Sequence, residues 1–269
     1  MKYETLHNLR IPKIGFGTWT IGGRSSPDRS QDARSLAALR SALELGYTHF
    51  DTAETYAHGH CEELLGQALR ESGLPCETLF VTSKVSPEHL RYESVLQACE
   101  NSLRNLGLEY IDLYLIHWPG SDMQLAETFR ALNKLVADGS VRHLGVSNFD
   151  LSLLKQAQAL SATGLLTNQV PYSLADRSYV RNGVLEYCQA NQILLTAYSP
   201  IEQGQMAPDR HLQDIAQAHQ ATPHQVALAW LVQQPRVITI PMSMDRQHQA
   251  QNLAAAEIVL SAAEMEQLS

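Results

Sequence analysis

Three ionisable residues, Asp51, Lys84 and His117, each close a run of apolar residues, and they stand 33 and again 33 residues apart. Tyr56 follows Asp51 by five residues inside the stretch GYTHFDTAETYAHGHCEELLG, residues 46–66. Any one of these side chains alone reads equally well as a surface charge or a buried polar group, but three in one phase ask for a shared task. A tyrosine is a weak acid, with an ordinary pKa of about 10. A lysine ammonium beside it stabilises the phenolate and makes it a better proton donor. Asp51 would hold that lysine in place and charged. His117 would donate a hydrogen bond to a carbonyl oxygen and aim it at Tyr56. Given a hydride donor, the set suits carbonyl reduction.

Other apolar runs end in residues that could hold such a donor. Ser147-Asn148, Gln169 and Tyr198 offer amides and a flat ring, a set that fits a nicotinamide with its carboxamide. The run 237–240 leads into Ser243 and a helix start, a place where phosphate is commonly held. Taken singly, Asn148 also reads as a helix cap and Tyr198 as packing.

The elements that must position these residues alternate strand and helix. A closed barrel of eight strand-helix units gives each unit about 31 residues and gathers its site at the carboxyl ends of the strands, so the equal spacing stacks the three side chains at one rim. Residues 3–14 alternate apolar and polar around His7-Asn8, predicting a small hairpin that plugs the barrel bottom. Strands are predicted at 14–19, 47–50, 77–85, 111–116, 141–147, 165–170, 193–198 and 237–240. Glycines 46, 73, 107 and 139 stop the helices between the early strands, and residue 17 lies 34 residues before Asp51, where a glycine lets something approach the backbone. Later helices are predicted near 150–162, 179–191, 210–220, 223–234 and 245–255, and Ser261 and Glu264 have capping-box spacing for a last short one. The fold class is therefore α/β, a (β/α)8 TIM barrel with an N-terminal β-hairpin and extra C-terminal helices, one domain over residues 1–269. A doubly wound sheet is the alternative, and no G-x-G-x-x-G follows the first strand to support it.

Composition narrows the function classes. With 44% apolar and 18% charged residues there is ample core, and no apolar run nears the ~20 residues of a membrane helix. No secretion signal is visible, so a cytoplasmic, soluble protein is expected. Cys61, Cys76, Cys99 and Cys188 are scattered and read as reduced thiols. A net charge of −8 without a basic block gives nucleic acid nothing to hold. His58 and His60 flank a glycine in a loop, a poor metal site, so no metal is expected. Nothing demands a protein partner, and a monomer is expected.

The chain resembles the aldo-keto reductases along essentially its whole length. The resemblance rests on GFGTW at 15–19, GYTHFDTAETY at 46–56, SK at 83–84, LIHWP at 115–119, GVSNF at 145–149, NQV at 168–170, AYSP at 197–200 and IPMS at 240–243. It implies Asp51, Tyr56, Lys84 and His117 as a catalytic tetrad with Tyr56 as proton donor. It implies a nicotinamide cofactor, NADPH or NADH, lying against Thr18, Trp19, Asp51, Ser147, Asn148, Gln169 and Tyr198. The pyrophosphate would follow Ser199, Pro200, Ile201 and Gln203, and the adenosine end would meet Ser243, Arg246, His248 and Asn252.

Departures from the family pattern fall at both ends of that site. Members that use NADPH commonly carry Lys after IP and Arg six residues later; here Met242 and His248 stand there, with Arg246 as a replacement clamp, which implies relaxed or NADH-tolerant use. The segment after Trp118 is short and the chain ends at Ser269, so the mouth should be open, with Trp19 and Trp118 as apolar walls and Tyr56 and His117 as the polar end. Small aldehydes, dicarbonyls or keto sugars are the expected substrates. Two other classes stay open: a nucleotide-binding redox sensor, and a Schiff-base aldolase using Lys84.

Overall fold

Strands that are buried on both faces belong to a parallel sheet wrapped in helices, and every residue of Phe80–Val85 and of Ile111–Ile116 is buried. The structure, a computed structural model, describes residues 2–6, 8–207 and 209–269. Strands β1 (Tyr3–Leu6) and β2 (Leu9–Pro12) form an antiparallel hairpin. Then come β3 (Phe16–Gly17), α1 (Asp32–Leu45), β4 (His49–Asp51), α2 (His60–Ser72), β5 (Phe80–Val85), α3 (Tyr92–Leu106), β6 (Ile111–Ile116), α4 (Leu125–Ala137) and β7 (Val141–Ser147). The second half runs α5 (Leu151–Leu160), β8 (Thr167–Pro171), α6 (Ser178–Arg181), α7 (Val184–Ala190), β9 (Leu194–Tyr198), α8 (Arg210–Ala218), α9 (Pro223–Gln233), β10 (Val237–Thr239), α10 (Arg246–Ala254) and α11 (Ala262–Gln267).

Strands β3 to β10 pair in parallel in chain order. The sheet closes on itself: Ile14 bridges Thr239 in parallel, Gly15 N donates to Thr239 O at 2.8 Å, and Thr239 N donates to Lys13 O at 2.9 Å. A doubly wound sheet has two free edges, so the closure excludes that alternative and establishes the barrel. It also explains Gly17, where a Cβ would lie 2.5 Å from the carbonyl oxygen of Ile240. What approaches that backbone is the closing strand. The ladder to β4 pairs Phe16 with Phe50 and Gly17 with Asp51, so the predicted strand 14–19 shortens to Phe16–Gly17.

The hairpin plugs the barrel. Leu6 and Ile11 pack in one cluster with the inward residues Phe80, Leu113, Leu115, Leu166, Leu194 and Ile238. Of the predicted His7-Asn8 turn, His7 lies outside the described residues and Asn8 has φ of 69°. The main core fills the layer between strands and helices, with Phe50, Val81, Tyr114, Ile116, Val146 and Leu195 facing helical residues such as Leu39, Leu65, Cys99 and Leu132. The predicted helix 179–191 is two pieces, because Gly183 takes φ of 82° and starts a new helix there. Helix α3 begins at Tyr92, after a short turn headed by Ser86. The capping box of Ser261 and Glu264 forms as its spacing predicts. Among the described residues no helix is long and apolar enough to cross a membrane.

Candidate active site

Register decides whether the 33-residue spacing brings the three side chains together. Asp51 is paired with Thr82, and Lys84 with Leu115. Each spacing therefore carries the next side chain two residues beyond its neighbour's partner. An even step keeps a side chain on the same face of a strand, so Asp51, Lys84 and His117 all turn into the barrel mouth while climbing along it. His117 follows β6 directly, its amide donating to Val85 O at 3.0 Å.

Lys84 is the hub. Its fully buried ammonium donates to Asp51 Oδ1 at 2.5 Å, to Thr52 O at 2.7 Å and to the Tyr56 hydroxyl at 3.4 Å. Each of its three N–H groups thus has an acceptor. The other carboxylate oxygen of Asp51 accepts from Gln169 Nε2 at 2.8 Å, and the Asp51 carbonyl accepts from Thr18 N and Oγ1 at 3.0 and 2.9 Å. Trp19 and His117 stand edge to face on the Tyr56 ring, with centroids 5.0 and 5.6 Å away.

Electrostatics corrects one expectation. Lys84 was to make Tyr56 a stronger acid; instead burial pushes that phenol well above its ordinary 10, and the Asp51 carboxylate pushes it further. The ammonium cannot act alone because Asp51 already offsets its charge at 2.5 Å. Tyr56 therefore keeps its proton at any working pH, which is the state a proton donor needs. Burial, with the Lys84 charge adding to it, lowers His117 to about 3. Its imidazole is neutral, and Thr55 Oγ1 lies 3.1 Å from Nδ1.

Beside this group the strand ends β7 to β9 build a polar wall. Asn148, at φ of 63°, donates through Nδ2 to His117 O at 3.1 Å and to Ser147 Oγ at 2.9 Å, and its Oδ1 accepts from the Tyr198 hydroxyl at 2.9 Å. Ser147 Oγ donates to Gln169 O at 2.8 Å. The helix-cap reading of Asn148 fails, because Asp150 caps α5 by accepting from Leu153 N at 2.8 Å. With its hydroxyl tied, Tyr198 turns a half-buried ring to the cavity.

That cavity measures about 1240 Å³ and is lined by Asp51, Tyr56, His117, Ser147, Asn148, Gln169 and Tyr198. Single small-molecule sites occupy about 300–1,000 Å³, so a dinucleotide and a substrate both have room. Amide, hydroxyl and aromatic groups, of the kinds that suit a nicotinamide and its carboxamide, thus line one wall of the cavity. Thr18, Trp19 and Trp118 line the mouth, with the two tryptophans 40% and 45% exposed. The cavity continues past Ser199, Pro200, Ile201 and Gln203 to Met242, Ser243, His248 and Asn252.

Arg246 does not join them. Its guanidinium turns to α1, donating to Glu44 Oε2 at 2.7 Å and Ser41 Oγ at 3.1 Å, so the expected replacement clamp points away from the cavity. Several lining residues went unread in the sequence: Arg24, Thr55, Ser86, Glu88, Thr222, His224 and Gln251. Two had a signal. Thr222 opens a capping box with Gln225, placing the start of α9 and His224 at the cavity; Ser86 likewise heads a turn. Arg24 is held there because its carbonyl accepts from Ala57 N at 2.8 Å. His58 lines the cavity, whereas His60 is engaged by Asp32 and Glu63, each at 2.7 Å.

Comparison with known proteins agrees with this geometry. The model of the Aldo/keto reductase family matches residues 13–269. The chain is 39% identical over 267 residues to methylglyoxal reductase YeaE of Escherichia coli strain K12, covering 97% of this chain and 91% of that protein. Among solved structures, the thermostable aldo-keto reductase Tm1743, in complex with the inhibitor epalrestat, superposes with a TM-score of 0.97 at 44% identity, covering 100% of this chain and 98% of the other. An aldo/keto reductase from Klebsiella pneumoniae in complex with NADP and acetate gives a TM-score of 0.88 at 39% identity, covering 99% and 94%.

Proposed function

The chain belongs to the aldo/keto reductase family, an NAD(P)H-dependent oxidoreductase that reduces small carbonyl compounds, and we propose that Tyr56 supplies the proton and His117 positions the carbonyl. The observation that carries this reading is the Lys84 ammonium held between Asp51 at 2.5 Å and the Tyr56 hydroxyl at 3.4 Å, at the floor of a cavity that His117 also lines.

A reduced nicotinamide, when bound, supplies the hydride that the carbonyl carbon accepts. The neutral His117 imidazole donates a hydrogen bond to the carbonyl oxygen and fixes it against Tyr56. As charge builds on that oxygen, Tyr56 gives up its proton and the alcohol forms. The phenolate left behind faces Lys84, whose ammonium stabilises it until solvent returns the proton. Asp51, held by Gln169, keeps Lys84 aimed. Asn148, Ser147 and Gln169 would orient the carboxamide, Tyr198 would stack on the ring, and Trp19 and Trp118 wall the mouth with apolar surface.

Methylglyoxal and related small dicarbonyls, simple aldehydes and keto sugars are the substrate class, in keeping with the open mouth and with the methylglyoxal reductase relative. For the cofactor the reading is relaxed, NADH-tolerant use: Met242 and His248 line the adenosine end, and the Arg246 guanidinium is engaged by Glu44. The Klebsiella relative in complex with NADP shows the phosphorylated nucleotide on a similar frame, so the two cofactors must be compared directly. Loss of cofactor absorbance with methylglyoxal and an aldehyde panel, run with NADPH and NADH at matched concentrations, tests both points. NADH turnover at least equal to NADPH supports the reading; a strong NADPH preference overturns its cofactor half. No turnover with either would favour a redox sensor. An aldolase is disfavoured because all three Lys84 N–H groups are engaged, leaving no lone pair for a Schiff base.

A further inference from the structure

A neutral imidazole carries one proton on two nitrogens, and only the tautomer whose N–H faces the substrate can donate to a carbonyl. The backbone of His117 is pinned at both ends, its N–H to Val85 O at 3.0 Å and its carbonyl by Asn148 Nδ2 at 3.1 Å. The rotation of the ring and the placement of its proton remain free. Among the described residues one side chain is hydrogen-bonded to that ring: Thr55, with Oγ1 3.1 Å from Nδ1. Thr55 heads the turn Tyr56–Gly59, so the hydroxyl and the Tyr56 phenol are carried by adjacent residues of one loop.

We propose that Thr55 is a positioning residue: its hydroxyl donates to His117 Nδ1 and so holds the ring as the Nε2-protonated tautomer, with that N–H turned to the substrate oxygen. The opposite polarity would place the proton on Nδ1 and oppose the lone pair of Nε2 to a carbonyl oxygen, acceptor against acceptor. Burial keeps the second proton off, so the choice of tautomer decides whether His117 donates at all. The inference rests on the reading of His117 as the hydrogen-bond donor to the carbonyl.

The test uses the full chain labelled with ¹⁵N in its histidines, with the His117 signals assigned by their loss in His117→Gln. In the wild type, Nε2 should be of the pyrrole type and Nδ1 of the hydrogen-bonded pyridine type. In Thr55→Val, which keeps the shape and removes the hydroxyl, the Nδ1 bond disappears and the two tautomers mix. kcat with methylglyoxal should fall about fivefold to tenfold, the rate equivalent of one uncharged hydrogen bond, with the KM for the nicotinamide cofactor unchanged. Thr55→Ser, which restores a hydroxyl, should return kcat to within about twofold of wild type. A wild-type ring carrying its proton on Nδ1, or Thr55→Val turning over at the wild-type rate, overturns the proposal. If the ring signals follow Thr55 but His117→Gln turns over like wild type, the tautomer assignment stands and the role of His117 in the reaction falls.

Discussion

Lys84→Met keeps an unbranched side chain, one atom shorter, and removes the charge, so the perturbation falls on Asp51. The lost ammonium had served Asp51 Oδ1 at 2.5 Å and Thr52 O at 2.7 Å, with both charged side chains buried. Among the described residues Gln169 Nε2, at 2.8 Å, is then the remaining side-chain donor to that carboxylate. Removing one partner of a buried ion pair costs about 3–5 kcal/mol. The relief open to the stranded group is to take up a proton, which at pH 7 costs a carboxyl of ordinary acidity about 4 kcal/mol. The destabilisation should therefore settle near ~3–4 kcal/mol, a fall in Tm of roughly 10 °C for a chain of this size. Its sign in pH follows: the deficit against wild type shrinks as the pH is lowered, because a protonated carboxyl no longer needs the cation. Lys84→Met with Asp51→Asn removes both charges, and replacing a buried pair by neutral groups is often neutral or stabilising, so the double variant should recover most of the loss. It should still sit at least ~100-fold below wild type in kcat/KM, because no cation faces the phenolate. Urea and thermal unfolding at pH 5 and 7 read the stability, and cofactor absorbance reads the rate. A double variant as unstable as Lys84→Met, or either variant with wild-type turnover, would refute the reasoning that the pair is kept for chemistry and not for stability.

Tyr56→Phe should lower kcat/KM by about 10²- to 10⁴-fold, the usual range for a lost general acid, while cofactor binding measured by fluorescence persists; near-wild-type turnover would remove Tyr56 as the donor. Glu44→Gln releases Arg246 from an exposed pair worth at most about 1 kcal/mol, so the ratio of kcat/KM for NADPH over NADH should rise up to about fivefold, and an unchanged ratio would mean that Arg246 cannot reach the nucleotide. His49, buried in the barrel against the ring of Phe80, is lowered by burial to about 4. The unfolded chain binds this proton below about 6.5, so stability should fall by about 1.4 kcal/mol per pH unit from that point down toward 4. His49→Gln should flatten that part of the stability profile in urea titrations at pH 7, 6 and 5, and a wild-type slope in the variant would assign the loss elsewhere.

Most of the architecture was legible because it is written in local signals. Gly46, Gly73 and Gly107 end α1, α2 and α3 with φ of 94°, 66° and 65°, the left-handed position for which only glycine is free. The spacing of Asp51, Lys84 and His117 was legible because barrel register turns sequence distance into position on a strand. What escaped depends on contacts between elements far apart in sequence. Arg246 could be placed at the start of α10, but its direction is set by Glu44 and Ser41 on α1, more than 200 residues away. The Thr55 contact with His117 spans 62 residues and follows from the turn after Thr55, in which Ala57 and His58 take φ of 48° and 50° without being glycines. The acidity of Tyr56 was misjudged because sequence places Lys84 and Asp51 beside it but does not show how deeply the phenol is buried.

Ala57 and His58 belong to a wider pattern that bears on why the site sits where it does. Among the described residues eleven non-glycine residues have positive φ, and five of them, Thr20, His58, Asn148, Ser199 and Gln203, line the cavity. Such conformations cost roughly 1–3 kcal/mol each and persist where the surroundings over-determine them. Asn148 shows how. Its left-handed backbone is held by its own N–H on Gln169 O at 2.9 Å, by its side chain on His117 O and Ser147 Oγ, and by the hydroxyls of Tyr198 and Tyr179 on its two oxygens. The same bonds tie the carbonyl of His117 to the wall on which the carboxamide is read to lie. The closed barrel supplies the surplus stability that this strain consumes, since its strands are buried on both faces and its hairpin seals the far end. A loosened Asn148, as in Asn148→Ala, should consequently disturb two things at once: the fit of the nicotinamide and the placement of His117. Cofactor affinity and kcat should fall together, whereas a residue that merely lined the cofactor would move affinity alone.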